Sequence, residues 1–445
     1  MKKRFFSIIL IFIYIFGHLV LGNVAFAEDD SNTNVDSSNS DELEIYSDAC
    51  MLYDIDTSKV LYEKNAYQTM YPASTTKLMT AILVLEKYKD LSALANVSYY
   101  ATHTVPATYS IADLRTNEQF TLKDLLYALL VASANDAAYV LAEYVVNDGN
   151  NYALDYSYDT KKAFENSIST FSDMMNAKAK ELGCINTNFV NPNGVHNENH
   201  VSTAYDLSLI GKAAYKNSTL MTIVNAIEYQ LPNSEYYDKD IRTFSSTNLL
   251  LRRERKGYYE YANGLKTGYT DAAQSCIVAS AEKDGINLIA TVLHSDRTTD
   301  QNASRESDCI RLFEYGFNNF TYSSLIKSKD VVKNISILNG TPETKNLNVL
   351  STTDLTARIK VGEALDITPE INITKSLAPI AKDEVIGTVK YIIDDTEYTA
   401  DLIAEHDVIA DNYMYLIWLL LVSFAVILFL FTCFFHKKNK KKRRH

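Results

Sequence analysis

Hydrophobic and polar residues follow four patterns along the chain, and each pattern predicts a different kind of element. An uncharged apolar run extends from Phe5 to Ala27. Residues 44–322 mix helical and strand spacing, whereas residues 329–408 show short alternating runs that are typical of strands. Residues 414–435 form a second apolar stretch without charge. The order predicts an α+β domain, then a small all-β domain and a C-terminal apolar helix.

The first predicted helix of the large domain begins near Pro72, because proline suits a first helical turn. Ser74 and Lys77 are therefore expected to open this helix. The apolar stripe that follows them at helical spacing consists of Leu78, Ala81, Ile82 and Leu85.

A second helix and a hairpin are predicted from capping and turn residues. Thr121 followed by Asp124 suits a helix N-terminus, and the leucine-rich segment behind it is expected to run toward Ser133. Further on, Asp284-Gly285 separates two apolar runs and predicts a β-hairpin. The tripeptide Lys266-Thr267-Gly268 lies just upstream, so we expect it on the neighbouring strand.

Both ends of the chain carry targeting patterns. Three basic residues precede the first apolar run, which ends in Ala25-Phe26-Ala27, so residues 1–27 are predicted to be a secretory signal peptide. An uncleaved anchor is the alternative. Residues 28–43 are almost all polar and predict a disordered acidic linker. Residues 414–435 predict a transmembrane helix, and the basic tail at 436–445 places that end in the cytoplasm and the preceding domains outside.

Composition narrows the functional classes. With 47% apolar and 22% charged residues over 445 positions, the chain is long and apolar enough for two globular domains. The net charge is −12, and it becomes more negative without the basic residues of the two ends, so nucleic acid is not an expected partner. The cysteines outside the apolar helix show no metal-type spacing, and we expect buried free thiols; they are Cys50, Cys184, Cys276 and Cys309.

Three short motifs carry the candidate chemistry, although two of them recur by chance. Ser-x-x-Lys occurs at Ser74, Ser280 and Ser324, and Ser-x-Asn occurs three times, whereas Lys-Thr-Gly occurs once. Only Ser74 lies at a predicted helix start, and only Ser133 follows a strongly apolar helix. Order and setting therefore select the set Ser74, Lys77, Ser133, Asn135, Lys266, Thr267 and Gly268.

Serine needs an adjacent base to act as a nucleophile. Residues i and i+3 share a helix face, so the Lys77 amine can reach the Ser74 hydroxyl. The lysine must be neutral to accept a proton. Burial and a second cation, for which Lys266 is the candidate, would both lower its pKa from about 10.4.

These motifs with their flanking residues resemble the low-molecular-mass penicillin-binding proteins, which are serine D-alanyl-D-alanine carboxypeptidases. The resemblance extends over residues 44–406 and includes Asn191-Pro192-Asn193-Gly194. It implies a penicillin-binding, β-lactamase-like fold with an antiparallel sheet between helices, peptidoglycan stem peptides as substrate and β-lactams as ligands. The segments that carry it are Pro72-Ala73-Ser74-Thr75-Thr76-Lys77, Ser133-Ala134-Asn135-Asp136 and Gly264-Leu265-Lys266-Thr267-Gly268-Tyr269-Thr270.

The resemblance also implies a role for each residue. Ser74 would accept the acyl group with Lys77 as its base, Ser133 would pass a proton to the departing D-alanine, and Asn135 would orient Lys77 and the substrate amide. Lys266 and Thr267 would bind the terminal carboxylate, Gly268 and Tyr269 would also contact the substrate, and the N–H groups of Ser74 and Tyr269 would form the oxyanion hole. Arg297 is a candidate for carboxylate recognition, with a solvated loop arginine as the alternative.

The sequence departs from the family pattern at Ala134, where glycine is usual, and at Asn263, where aspartate is frequent. Two alternative functions stay open: a class A-type β-lactamase, although its Glu-x-x-Leu-Asn context is absent, and a catalytically silent wall-binding protein. No cofactor or metal is expected. His196 and His200 follow a turn rather than a helix, so their spacing does not predict a zinc site.

Overall fold

The computed structural model describes residues 43–106, 108–149, 157–237, 241–295, 304–363, 367–393, 396–411 and 413–442. The predicted signal peptide and all but the last residue of the predicted acidic linker lie outside the described residues. The fold is α+β, followed by an all-β region and a long apolar helix, as the sequence predicts.

A five-stranded antiparallel sheet forms the centre of the first part. The strands described before residue 296 are β1 (Ala49–Asp54), β2 (Val60–Lys64), β3 (Leu94–Asn96), β4 (Gln119–Thr121), β5 (Glu228–Gln230), β6 (Thr243–Ser245), β7 (Ala262–Thr270), β8 (Gln274–Lys283) and β9 (Ile286–Ser295). The sheet has the order β2–β1–β9–β8–β7, and the remaining strands form the pairs β3–β4 and β5–β6. The predicted hairpin is confirmed: Asp284 and Gly285, at φ 52° and 76°, join β8 to β9, as a tight hairpin turn requires.

Helices cover both faces of this sheet. Alternate residues of β1 face opposite sides, so Met51 lies in one core with α1, α3 and α4, whereas Leu52 lies in a second core beneath α8. The helices are α1 (Lys77–Lys87), α2 (Tyr99–His103), α3 (Leu122–Leu130), α4 (Asn135–Val146), α5 (Tyr158–Glu181), α6 (Ala204–Tyr215), α7 (Ser218–Val224) and α8 (Arg305–Asn319).

The two helix starts predicted from sequence differ in how closely the structure follows them. Thr121 caps α3 in a capping box with Asp124, as expected. The helix nevertheless ends at Leu130, and Ser133 lies in the following turn with φ 60°. Ser74 does not lie in α1 itself, because a 3₁₀ turn, Ala73–Thr76, precedes that helix.

Between residues 320 and 411, the regular elements of the described residues are all strands. They are β10 (Phe320–Ile326), β11 (Val331–Ser336), β12 (Asn346–Ser351), β13 (Leu355–Lys360), β14 (Glu370–Ile373), β15 (Val385–Ile393) and β16 (Thr396–Ala404). Five form the sheet β11–β12–β16–β15–β14, and β10 pairs with β13. A buried ion pair, Arg358 Nε to Asp54 Oδ2 at 3.2 Å, joins this β-domain to the end of β1. The Arg358 guanidinium also lies over the Tyr322 ring.

The chain ends in a long helix, α9 (Tyr413–Lys442). Its segment Tyr415–Phe434 has a mean hydropathy of 2.8, and none of this segment is buried. Twenty residues at about 1.5 Å each give roughly 30 Å, the thickness of a bilayer core. Among the described residues, α9 is the one helix that is long and apolar enough to cross a membrane.

Candidate active site

The Ser74 side chain is placed by the tight 3₁₀ turn at the start of α1. Ala73 has φ 48°, and the next residue directs its hydroxyl into a cavity of about 610 Å³. Gly194 packs on this turn so closely that a Cβ there would lie 1.9 Å from the Ala73 carbonyl oxygen. The Asn-Pro-Asn-Gly segment therefore holds the turn from behind, and only glycine fits at its last position.

Lys77 lies beneath Ser74 and is fully buried. Its Nζ is 2.9 Å from Ser74 Oγ, 2.9 Å from Asn135 Oδ1 and 2.6 Å from the Asn193 carbonyl oxygen. A neutral amine has two N–H groups and one lone pair. The two N–H groups suit the two carbonyl oxygens, and the lone pair then faces the serine hydroxyl.

The environment of Lys77 favours this neutral form. Burial lowers its pKa well below the ordinary value, and repulsion from the Lys266 cation lowers it further, while Asp136 opposes the shift. Lys266 is also fully buried, and burial together with Arg305 lowers its own pKa to about 7. The sequence prediction of a buried lysine pair is consistent with this arrangement.

Ser133, in the turn between α3 and α4, and Asn135, the first residue of α4, reach the same cavity. The backbone N–H and Nδ2 of Asn135 both donate to the Ser110 carbonyl oxygen, at 3.0 and 2.8 Å. These two bonds fix the side-chain amide, so its oxygen faces Lys77. Asp136 accepts from the N–H groups of Ala112 and Leu114 and holds the segment after Ser110 against α4.

The opposite wall is β7, the edge strand of the sheet. Thr267, Gly268 and Tyr269 line the cavity, and the Thr267 hydroxyl lies 2.6 Å from that of Thr247. A Cβ on Gly268 would lie 2.9 Å from Ser74 N, so the glycine allows the strand to approach the turn that carries Ser74. Lys266 lies behind this wall and donates to the Thr267 carbonyl oxygen at 2.9 Å.

Two arginines that line the cavity, Arg252 and Arg305, were missed from sequence. Arg305, the first residue of α8, lines the cavity, and its Nη1 donates to the Gly268 carbonyl oxygen at 3.0 Å. Arg297, the arginine that the sequence suggested, lies outside the described residues. The sequence signal that could have pointed to Arg305 is Ser304, because this serine caps α8 and so makes Arg305 the first residue of the helix. Asn193 was also missed, because nothing in the sequence assigns a backbone carbonyl to Lys77.

The two histidines considered for zinc have other partners. His200 is buried, with Nε2 2.8 Å from Thr76 Oγ1, and its Nδ1 accepts from Val190 N at 3.1 Å. Burial, followed by repulsion from Lys77, lowers its pKa to about 3. His196 stacks edge-on against Tyr71. Both ring nitrogens of His200 are therefore used within the protein.

A hollow of similar size, about 630 Å³, lies on the β-domain away from these residues. Threonine, asparagine and charged side chains line it, and none of its lining residues is serine, cysteine or histidine. It therefore lacks a serine beside a buried lysine, which the first cavity has.

Comparison with known proteins assigns the family and the fold. Residues 34–153 and 163–297 match the family described as D-alanyl-D-alanine carboxypeptidase, and residues 320–412 match the family described as penicillin-binding protein 5, C-terminal domain. The chain belongs to the D-alanyl-D-alanine carboxypeptidase family. It is a serine-type enzyme of that family, as the resemblance of its motifs implied.

Individual relatives agree with this assignment. The carboxypeptidase is 30% identical over 339 residues to D-alanyl-D-alanine carboxypeptidase DacF of Bacillus subtilis, covering 76% of this chain and 77% of the relative. It is 32% identical over 266 residues to a D-alanyl-D-alanine carboxypeptidase of Streptomyces sp. strain K15, covering 59% and 84% of the two chains. These relatives favour the carboxypeptidase interpretation over the β-lactamase alternative.

Solved structures show the same architecture. The peptidoglycan synthesis regulatory factor PBP3 of Streptococcus pneumoniae aligns with TM-score 0.65 at 24% identity, covering 82% of this carboxypeptidase and 100% of that chain, and it supports the fold alone. A mutant of the Streptomyces K15 DD-transpeptidase aligns with TM-score 0.53 at 33% identity, covering 62% and 98%.

Proposed function

We propose that this carboxypeptidase removes the terminal D-alanine from peptidoglycan stem pentapeptides through an acyl-enzyme on Ser74. The contact that carries the proposal is the 2.9 Å approach of Lys77 Nζ to Ser74 Oγ, with the lysine fully buried and its pKa lowered. A buried neutral amine beside a serine hydroxyl is the arrangement that nucleophilic attack requires. Nothing else in this cavity supplies a base within hydrogen-bond distance of Ser74 among the described residues.

In the acylation step, Ser74 Oγ attacks the carbonyl carbon of the D-alanyl-D-alanine bond and its proton passes to Lys77 Nζ. The tetrahedral oxyanion accepts hydrogen bonds from the backbone N–H groups of Ser74 and Tyr269. The C–N bond then breaks, and the departing amine of D-alanine receives a proton through Ser133, which lines the same cavity. An ester on Ser74 remains.

In the deacylation step, a water molecule attacks the ester, and the Ser74 oxygen regains a proton as the shortened peptide leaves. A β-lactam opened by the same attack keeps its leaving group attached, so it stays in the site and hydrolysis is slow. We therefore expect penicillin to label Ser74. An amine that replaced the water would give transpeptidation from the same ester.

Two cations, Lys266 and Arg305, lie against β7 beside the cavity, and we propose that they recognise the carboxylate of the terminal D-alanine. Lys266 and Arg305 hold the backbone of Thr267 and Gly268, whose strand forms the wall. In the free enzyme, burial and Arg305 lower the pKa of Lys266. A bound carboxylate would raise that pKa again and so favour the charged form of the lysine. Arg297 stays a prediction for the same role.

The test is D-alanine release from a peptide ending in Lys-D-Ala-D-Ala by the full chain in detergent, together with labelling by fluorescent penicillin. We expect both for wild type and neither for Ser74→Ala. Ser324→Ala is the matched control, since Ser324 begins another Ser-x-x-Lys match but lies exposed on β10. Wild type that folds but releases no D-alanine would favour the silent wall-binding alternative. Rapid release of hydrolysed penicillin would favour a β-lactamase.

We also propose where the enzyme acts. The signal peptide directs export, a catalytic domain at residues 44–322 and a β-domain at 329–408 lie outside the cell, and the apolar part of α9 anchors them with the basic tail in the cytoplasm. Truncation after Asp411 should release active enzyme from the membrane fraction, whereas the full chain should resist extraction by alkaline carbonate. A full chain that washes off would contradict the anchor.

A further inference from the structure

The β-domain is joined to α9 by a very short connection. One residue separates Asp411 from Tyr413, the first residue of the helix. Asp411 belongs to the domain, because its N–H donates to the Asn339 carbonyl oxygen at 2.7 Å, and its Oδ1 accepts from Tyr413 N at 3.0 Å. At no more than about 3.6 Å per residue, the chain around Asn339 lies within roughly 10 Å of the start of α9.

Three large aliphatic side chains are exposed on the segments that meet there. Leu338, Leu377 and Ile409 have 66%, 57% and 60% of their surface exposed. Leu338 and Leu377 are partners in a β-bridge, and Thr341 N donates to the Ile409 carbonyl oxygen at 3.0 Å. The three residues therefore lie on neighbouring segments at one end of the β-domain; together they are called the juxtamembrane patch.

Single exposed aliphatic residues are common on protein surfaces, but three on adjacent segments are less usual. The patch is also next to the point where the chain enters the apolar helix. Lys345 adds an exposed cation at the same end. It lies directly beside Gly340, because a Cβ built on Gly340 would be 3.0 Å from the Lys345 Cβ. Aliphatic side chains with a neighbouring lysine suit the boundary between lipid headgroups and acyl chains.

We propose that the juxtamembrane patch inserts into the outer leaflet of the membrane in which α9 is anchored. This inference rests on the proposed anchoring by α9. The short connection holds the patch at the bilayer surface, and insertion of the three side chains fixes the tilt of the β-domain. The buried Arg358–Asp54 ion pair then passes that orientation to the catalytic domain. The active site is thereby held at a defined height and direction relative to the membrane.

The test measures contact between the patch and lipid in the full chain, reconstituted at one copy per nanodisc. Cysteine is introduced at Leu338, Leu377 or Ile409 in a Cys433→Ser background and labelled with bimane, and lipids with a doxyl group near the headgroup are the quencher. The labelled parent supplies the background from native cysteines. Leu420→Cys in α9 is the positive control. Val361→Cys is the matched negative control. Val361 is as exposed as the patch residues, at 60%, but it lies next to the catalytic domain, since its N–H donates to the Asn319 carbonyl oxygen at the end of α8.

We expect doxyl lipid to reduce bimane fluorescence at the three patch positions by about half or more, and to leave the Val361 position nearly unchanged. Quenching at Leu420 without quenching in the patch would overturn the patch proposal and leave the anchor intact. Absence of quenching at Leu420 would overturn both. Patch fluorescence that responds to a second copy in the disc, but not to doxyl lipid, would assign the patch to self-association instead.

Discussion

Gly268→Ala tests whether the distance between β7 and the nucleophile turn sets the rate of acylation. In the structure, an added Cβ would lie 2.9 Å from Ser74 N, 3.0 Å from Ala73 Cβ and 3.1 Å from the Pro72 carbonyl oxygen. Ordinary Cβ contacts begin near 3.4 Å. Backbone atoms form most of this contact, so strand and turn must separate by about 0.5 Å.

The separation acts directly on the reacting groups. A misplacement of about 1 Å in an active site costs on the order of 100-fold in rate, so about 0.5 Å corresponds to roughly tenfold in kcat/KM. Overpacking of this kind also costs about 1–3 kcal/mol of stability. The assay is the second-order rate of Ser74 acylation by fluorescent penicillin, with urea unfolding measured in parallel.

Gly316→Ala is the control for simple overpacking. Its Cβ would lie 2.7 Å from Leu288 Cδ1 and 2.9 Å from Leu52 Cδ2, which are side-chain ends in the core beneath α8. We expect this variant to change stability without changing the acylation rate of the folded protein. A Gly268→Ala enzyme that acylates within about twofold of wild type would refute the argument that close approach of β7 positions the nucleophile.

Three further predictions follow from the charges of the site and its surroundings. If Lys77 is the base, the acylation rate should rise with pH through the Lys77 pKa, and Lys266→Met, which removes a repelling cation, should raise that pKa and move the rise to higher pH. A pH profile that does not move would show that the two lysines are not coupled. Arg305→Met should lower kcat/KM at least about tenfold for a peptide with a free terminal carboxylate and less for its amide, with partial rescue by Arg305→Lys; equal losses for both peptides would argue against carboxylate binding. Glu118→Gln should destabilise the fold by about 3–5 kcal/mol in urea unfolding, because it leaves the buried Arg242 guanidinium, 2.7 Å from Glu118 Oε1, without its counter-charge; a loss below about 1 kcal/mol would contradict this.

The sequence by itself determined the local elements and singled out Ser74 as the candidate nucleophile. Turn and capping residues act on their immediate neighbours, so the hairpin at Asp284-Gly285 and the capping box at Thr121 were predictable. The choice among three Ser-x-x-Lys matches has a geometric reason. Ser280 lies within β8, where residues three apart point to opposite faces, whereas Ser74 and Lys77 share one side of a helical turn.

Only the tertiary structure decided the burial and the hydrogen-bond partners of Lys77, the proposed base. The contacts of Lys77 with Asn135 and Asn193 join residues 58 and 116 positions apart, and the second uses a backbone carbonyl that has no side-chain signature. Burial of Lys77 likewise depends on packing by segments distant in sequence. Arg305 reaches the cavity because α8 begins beside β7, a proximity that no local sequence pattern encodes. Long-range packing therefore sets the pKa of Lys77 and the charge of the site, whereas local spacing identifies Ser74 as the candidate nucleophile.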